Sequence, residues 1–327
     1  MQNIYKKLVI LELVIIIILS IIAIKSSSDK KIEYDKKGLL SPRIYSGLLE
    51  PKSYLITNFS PLEKNIKDFV GKNNINVSVY IQNLRDGSYI YINDKLEFFP
   101  VSLNKLPIAI LIMQKVESGE LSLDKKIPIR EEDRTDAYGE LYLTKEDELP
   151  LSILMEKMLR ESDNTAMHAL IHYINGKDLD LLTDYYAIDL NVYYPSRRIY
   201  GNHSIYLTPK VMSNIFTSLY LSTALEDESS EYILSLMTNT TFDVNKLAGI
   251  PNEVIISHKF GAYYVENIKY FHDCGIMYID KSKILYCIMT KDLNQKDATK
   301  VIGIIMNNTY NYVKETRKRL DSYKNEN

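Results

Sequence analysis

A chain of 327 residues, 46% hydrophobic and 25% charged, is long enough to bury one large α/β core or two small ones. A net charge of -2 offers no global attraction to a polyanion, and the most basic stretch, 314–324, is interrupted by Glu315 and Asp321, which argues against a nucleic-acid partner. Two cysteines, Cys274 and Cys287, leave the redox compartment open.

After a short segment 1–7 containing Lys6 and Lys7, residues 8–24 are apolar except for Glu12 and Ser20. At about 1.5 Å per residue, such a run just reaches across a bilayer. Ile22-Ala23-Ile24-Lys25 is a poor small-x-small cleavage site, so the run reads as an uncleaved transmembrane anchor. The cytoplasmic membrane is the expected partner. Basic residues on both sides of the run do not set its orientation. Residues 25–59 read as a polar tether, and one folded domain is expected over 60–323.

Ser60-Pro61-Leu62-Glu63 combines a capping hydroxyl, a proline at the first helical position and a Glu three residues after the cap, predicting a helix over 61–70. Ile75, Val77, Val79 and Ile81 alternate with polar residues or tyrosine as a half-buried strand does, and Arg85-Asp86-Gly87-Ser88 turns the chain into a return strand at 89–92. Helical spacing follows at 103–117, with Pro107 as an expected kink, and again at 151–159, 165–173 and 177–185. The period then returns to two in Val254, Ile256 and His258 and in segments 275–279 and 284–289, before a closing helix over 297–323. Strands at both ends enclosing a helical middle predict one antiparallel sheet flanked by helices, with an inserted all-helical subdomain.

Three short elements carry candidate chemistry. Ser102 and Lys105 are three apart at a strand-to-helix junction, a spacing that puts hydroxyl and amine on one helical face. A serine hydroxyl is a poor nucleophile until a neighbour takes its proton, and a lysine made neutral by burial or nearby cations can do so. Unpaired N–H groups at the helix start suit a tetrahedral oxyanion. Ser162-Asp163-Asn164 lies between two helical segments: Ser162 suits proton relay, Asn164 suits a substrate amide, and Asp163 suits fastening the loop. His258-Lys259-Phe260-Gly261-Ala262 follows the alternating strand. There, Lys259 is expected beside the Ser162 hydroxyl and a substrate carboxylate. Ala262 N–H would complete an oxyanion pair with Ser102 N–H, and Gly261 would let substrate approach the backbone.

In this order, the three elements resemble the Ser-x-x-Lys, Ser-Asp-Asn and Lys-Thr-Gly signatures of class A β-lactamases and penicillin-binding proteins. The resemblance implies an α/β/α fold of the β-lactamase/transpeptidase type. It implies a serine hydrolase acting outside the cytoplasmic membrane on a β-lactam or a peptidoglycan-like acyl amide, without a metal or other cofactor. By position, Ser102 would be the nucleophile, Lys105 and Ser162 would manage protons, Asn164 would orient the acyl amide and Lys259 would support the leaving side. Phe260 would border the substrate, and Asp163 and Asn191 would be structural.

Two departures qualify the likeness. Leu190-Asn191 resembles part of the family's omega loop, and four residues before that Asn, where the family carries a deacylating Glu, stands Ala187, with Asp189 the nearest acid. Phe260 occupies the usual Thr or Ser position and has no hydroxyl for a carboxylate. Both favour a low-turnover peptidase or transpeptidase, or a penicillin-binding sensor or structural wall protein, as alternatives. His168 and His172 share a helical face, but Ala169 follows in place of a zinc-protease Glu, so they read as a packed or surface pair. Cys274 and Cys287 are equally consistent with a cross-hairpin bond and with two thiols.

Overall fold

A computed structural model describes residues 57–174, 206–265, 267–279 and 282–325. The expected anchor, residues 25–56 of the tether, the helical segment 177–185 and the loop holding Ala187, Asp189 and Asn191 lie outside the described residues.

The sheet has five antiparallel strands: β1 (Val77–Asn83), β2 (Tyr89–Ile92), β5 (Ile255–Val265), β6 (Ile268–Ile279) and β7 (Ser282–Lys291), in the order β2-β1-β7-β6-β5. β1 pairs with β7, Val77 opposite Thr290, so the first strand is completed by the last. A small second sheet pairs β3 (Lys126–Pro128) with β4 (Glu148–Pro150).

Period-two alternation sorts the side chains into two cores. In β7, Ile284, Tyr286 and Ile288 join Val77, Val79 and Ile81 in packing against Leu62, Ile66 and Val70 of helix Ser60–Asn73 and Val301, Ile302 and Ile305 of helix Gln295–Asn325. The intervening Leu285, Cys287 and Met289 face the other way. They share a core with helices Lys105–Glu117, Leu151–Arg160, Asn164–Tyr173, Pro209–Tyr220 and Asp227–Leu236. A sheet with an apolar stripe on each face must be covered on both, which is why the chain forms three layers. The α/β/α expectation matches this architecture.

Element details differ at the edges. The first helix extends to Asn73, and Asn74 in the left-handed region, rather than Gly71, ends it. Its Ser60 is already helical; the Ser60 N–H donates to Asn58 Oδ1 at 3.0 Å. The expected helix at 103 starts as a single 3-10 turn, Val101–Asn104, and becomes α-helical at Lys105; Pro107 falls in that helix's first turn, where a missing N–H breaks no bond. Helices Pro209–Tyr220, Asp227–Leu236 and Val244–Ala248 went unread, although Thr208 caps the first through Val211 N and Pro209 opens it, a legible signature. Cys274 and Cys287 stand directly opposite in β6 and β7 and form a disulfide.

The single-pass membrane expectation is corrected. No helix among the described residues is long and apolar enough to cross a membrane. The longest, Gln295–Asn325, carries Lys300, Lys314, Glu315, Arg317, Lys318 and Arg319, and a bilayer interior does not accept such a run of charges. The expected transmembrane anchor, the membrane as partner and the single-pass extracytoplasmic placement are therefore not carried forward, since the described residues hold no such helix.

Candidate active site

Ser102 sits on the 3-10 turn between β2 and helix Lys105–Glu117, preceded by Val101 at φ 53°. A β-branched residue in the left-handed region is strained, and surrounding structure must hold it there. Two contacts do so. His272 of β6 reaches the Phe99 carbonyl through Nε2 at 2.9 Å, and β5 lies so close that a Cβ on Gly261 would meet Ser102 N at 3.1 Å, Val101 Cβ at 3.2 Å and Pro100 O at 3.3 Å. The bare face of Gly261 therefore receives the Pro100–Ser102 turn. This contact brings Ser102 N beside the edge strand whose next amide is Ala262 N–H, the partner expected for an oxyanion.

His272 is fully buried, and burial pushes its pKa down to about 4. Its Nδ1 accepts from Thr290 N–H at 3.3 Å, which assigns the ring proton to Nε2, donated to Phe99. Between about pH 4 and 6.5 the unfolded state binds this proton and the folded state does not, so stability rises with pH across that window and falls on acidification. From pH 7 to 4, urea unfolding should register a loss of about 3 kcal/mol from this group. The expected result is that His272→Gln loses about that much less than wild type over the same range; equal losses would contradict the assignment.

Lys105 is fully buried. Its Nζ lies 2.5 Å from the Ser162 carbonyl and 2.6 Å from Asn164 Oδ1, and 3.1 Å and 3.2 Å from the hydroxyls of Ser102 and Ser162. The two short partners can only accept, so they take two N–H bonds. The remaining direction faces two hydroxyls, each able to donate to a nitrogen lone pair. Burial lowers the Lys105 pKa to about 7, partly opposed by the negative charge of Asp163, so an appreciable neutral fraction exists near neutrality. Asn164 Nδ2 has no partner among the described residues.

The Ser162-Asp163-Asn164 loop is fastened through Asp163. This carboxylate caps helix Asn164–Tyr173 by accepting from Ala166 N–H at 2.9 Å and reaches across to Leu141 N–H at 2.9 Å. Asn164 N–H donates to the Tyr138 carbonyl at 2.9 Å, and Ser162 is held at φ 60°. The Asp163 side chain lies directly over Gly139, itself at φ 96°, where any Cβ would overlap it.

Lys259 is fully buried, yet Nζ makes its hydrogen bond to the Phe260 carbonyl at 3.1 Å and stands 4.5 Å from the Phe260 ring centroid. No hydrogen bond joins Lys259 to Ser162, the hydroxyl it was expected beside, among the described residues. Burial, reinforced by the charge of Lys105 and opposed by Asp273, holds the Lys259 pKa well below the usual lysine range. Phe260 is 4% exposed and packs at the sheet edge against Phe242, Tyr138 and Phe271 with centroids 5.4, 5.9 and 6.5 Å away. Its bulk completes a core and presents little surface to a substrate.

Sequence reading missed a buried chain on the other sheet face. Thr240 Oγ1 lies 2.9 Å from His258 Nε2, His258 Nδ1 lies 2.8 Å from Asp273 Oδ2, and Tyr286 OH donates to Asp273 Oδ1 at 2.5 Å. It ties the loop carrying Phe242 to β5, and its residues are too far apart in sequence to be seen as a group. His168 and His172 converge on Asp133, His168 on its carbonyl at 3.2 Å and His172 on its carboxylate, as a packed pair. No cluster suited to a metal occurs among the described residues.

Residues 61–313 match the beta-lactamase enzyme family. Beta-lactamase VEB-1 of Pseudomonas aeruginosa is 23% identical over 275 residues, covering 77% of this chain and 90% of that protein. Beta-lactamase Toho-1 of Escherichia coli is 25% identical, covering 57% of this chain and 66% of its own. Among solved structures, a beta-lactamase from Chitinophaga pinensis superposes with TM-score 0.68 at 18% identity, covering 78% of this chain and all (100%) of that one. A mutant of PBP-A, solved as an acyl-enzyme complex with penicillin G, superposes with TM-score 0.66 at 19% identity, over 78% of this chain and 97% of that one. With a family match spanning nearly the whole three-layer domain around Ser102, this chain belongs to the beta-lactamase enzyme family.

Proposed function

We propose that this chain is a serine acyl hydrolase that opens a β-lactam, or a cell-wall-like acyl amide, through an acyl-enzyme on Ser102. The observation that carries the reading is Lys105 Nζ, buried, with its N–H bonds directed to two carbonyl oxygens and its remaining side directed at the Ser102 and Ser162 hydroxyls. Neutral Lys105 takes the proton from Ser102 Oγ as Oγ attacks the carbonyl carbon. The C=O electrons move to oxygen, held by Ser102 N–H and Ala262 N–H. The C–N bond then breaks, and the leaving nitrogen takes a proton from Ser162 Oγ, which is replenished by protonated Lys105. The product is acyl-Ser102 with Lys105 again neutral. Asn164 Nδ2 orients the acyl amide, and Lys259 adds positive potential whenever it is protonated.

Ala187 supports a second, slower reading of the same site. Without a Glu at that position, no general base is evident for the water that releases the acyl group, so the adduct should persist, as in a low-turnover peptidase or a penicillin-binding sensor. Incubating the purified chain with a reporter β-lactam, and following intact mass alongside product release, separates these outcomes. Continuous release supports a lactamase; a stable adduct on wild type but not on Ser102→Ala supports slow deacylation. No adduct and no hydrolysis with β-lactams and acyl-D-Ala esters would count against the substrate class, and reaction undiminished in Ser102→Ala would sink the nucleophile.

A further inference from the structure

The buried chain through His258 ends at a hydroxyl beside a cavity, on the opposite side of β5 from Lys259. His258 precedes Lys259 on that strand, so alternation turns the two side chains to opposite faces. Asp273 of β6 stands opposite Phe260, on the face that His258 shares, and is fully buried. Burial and the Asp273 charge hold the Tyr286 phenol well above its usual pKa, so Tyr286 stays a donor to Asp273 Oδ1. An ionised carboxylate can only accept, so Asp273 Oδ2 takes its second bond from His258 Nδ1–H, at 2.8 Å. In the neutral ring the lone pair is then on Nε2, 2.9 Å from Thr240 Oγ1. The Phe242 carbonyl competes for the same hydroxyl proton from 3.1 Å.

A hydroxyl within reach of an imidazole that a buried carboxylate orients is the signature of an activated nucleophile, whatever fold carries it. Thr240 is partly exposed, and it and His258 border a cavity of about 590 Å³, within the range of small-ligand sites. The backbone around the hydroxyl is held in place. His258 N–H donates to the Met237 carbonyl at 3.0 Å, and Thr241 N–H donates to the Arg160 carbonyl at 3.2 Å. Between these anchors, the N–H groups of Asn239 and Thr240 donate to no protein group among the described residues, so two N–H donors adjoin the hydroxyl in the chain. The cavity lining includes the Asp243 carboxylate and neither Lys nor Arg, with Phe242, Val254 and Ile255 as apolar wall. A carboxylate-bearing molecule is repelled there, whereas a small uncharged acyl compound is not.

We propose that Thr240, His258 and Asp273 form a second acyl-transfer centre, independent of Ser102, that hydrolyses small uncharged carboxylic esters. Thr240 Oγ1 attacks the ester carbonyl carbon while His258 Nε2 takes its proton, and Asp273 stabilises the imidazolium that forms. The C–O bond to the alcohol breaks, and His258 returns the proton to the leaving oxygen. Water then attacks the acyl-Thr240 carbonyl and gives a proton to Nε2. Oγ1 leaves with that proton, which restores Thr240 and neutral His258 and releases the acid.

The test uses the full chain carrying Ser102→Ala, so that its outcome is separate from the reading of the first serine. With p-nitrophenyl butyrate, p-nitrophenol release is followed and the acylated peptide is mapped by mass. A butyryl group should appear on the peptide bearing Thr240. Adding Thr240→Val, which keeps the shape and removes the hydroxyl, should abolish that adduct and slow release about 100-fold, whereas Thr240→Ser should retain both. His258→Gln, which keeps a donor for Asp273 but offers no basic nitrogen, should slow acylation about 100-fold. Should His258→Gln fail to fold, Thr240→Val, at the partly exposed end of the chain, decides alone. No adduct on Thr240, release unchanged in Thr240→Val, or acylation undiminished in a folded His258→Gln overturns the centre. A benzylpenicillin adduct on Thr240 would overturn the assignment to uncharged esters.

Discussion

Lys105→Ala should slow acylation of Ser102 about 10³-fold, within the range expected for loss of a positioned general base. The wild-type rate should also follow the neutral fraction of Lys105. With a pKa lowered to about 7 by burial, the amine is roughly half neutral at pH 7 and gains a proton below it. The acylation rate should therefore approach a plateau above neutrality and fall about tenfold per pH unit well below 7. Single-turnover mass measurements from pH 5 to 9 read this directly. A profile flat through neutrality would remove Lys105 from the proton path, whatever the alanine variant does. Lys105→Arg should not rescue the rate, because a guanidinium stays charged and has no lone pair for a serine proton.

The second large effect is expected at a residue with no side chain of its own. At Gly139→Ala, the new Cβ would lie 2.1 Å from Asp163 Oδ2, 2.4 Å from its Cγ and 2.7 Å from its Cα, on a backbone at φ 96°. Neither the backbone angle nor the contact has a cheap escape, since the obstructing carboxylate is fully buried and bonded to Leu141 N–H and Ala166 N–H. Urea unfolding should show a loss of about 3 kcal/mol or more. Acylation should fall about 100-fold, because the loop that aims Ser162 and Asn164 at Lys105 must shift. Asp163→Ala should relieve part of the clash, so the stability losses of the double variant should sum to less than those of the singles. Strict additivity would mean that Asp163 is not what Gly139 accommodates.

The sheet and its flanking helices were legible because their signals are local: alternation in 75–81 and 284–289, and helical spacing in 151–159 and in the last helix. The Ser102–Lys105 pair was legible for the same reason, being fixed within one turn. Joining Ser162 and Lys259 to it needed a family likeness, since nothing local says that a loop after helix Leu151–Arg160 meets a lysine 57 residues earlier. What the sequence left unplaced is tertiary. The close contact at Gly261 is to the Pro100–Ser102 turn. The hydrogen bond of Lys259 goes to the adjacent Phe260 carbonyl. Val101 carries no sign in its side chain of a left-handed backbone; the strain becomes visible only once β5 and His272 are in place. The glycine at 139 was passed over because its reason lies in Asp163.

The pairing of β1 with β7 governs when the site around Ser102 can first be assembled. During synthesis Ser102 and Lys105 emerge early, on a helix whose sheet does not yet exist. Val77 must wait for Thr290 before its strand has that neighbour, and the turn bearing Ser102 must wait for Gly261 and His272 to press against it. Loop closure over such separations is slow, and folding of so non-local a sheet is correspondingly late. A partly made chain therefore carries Ser102 and Lys105 without the contacts that hold their turn, and a nascent copy should lack the assembled site until its final strands have been delivered.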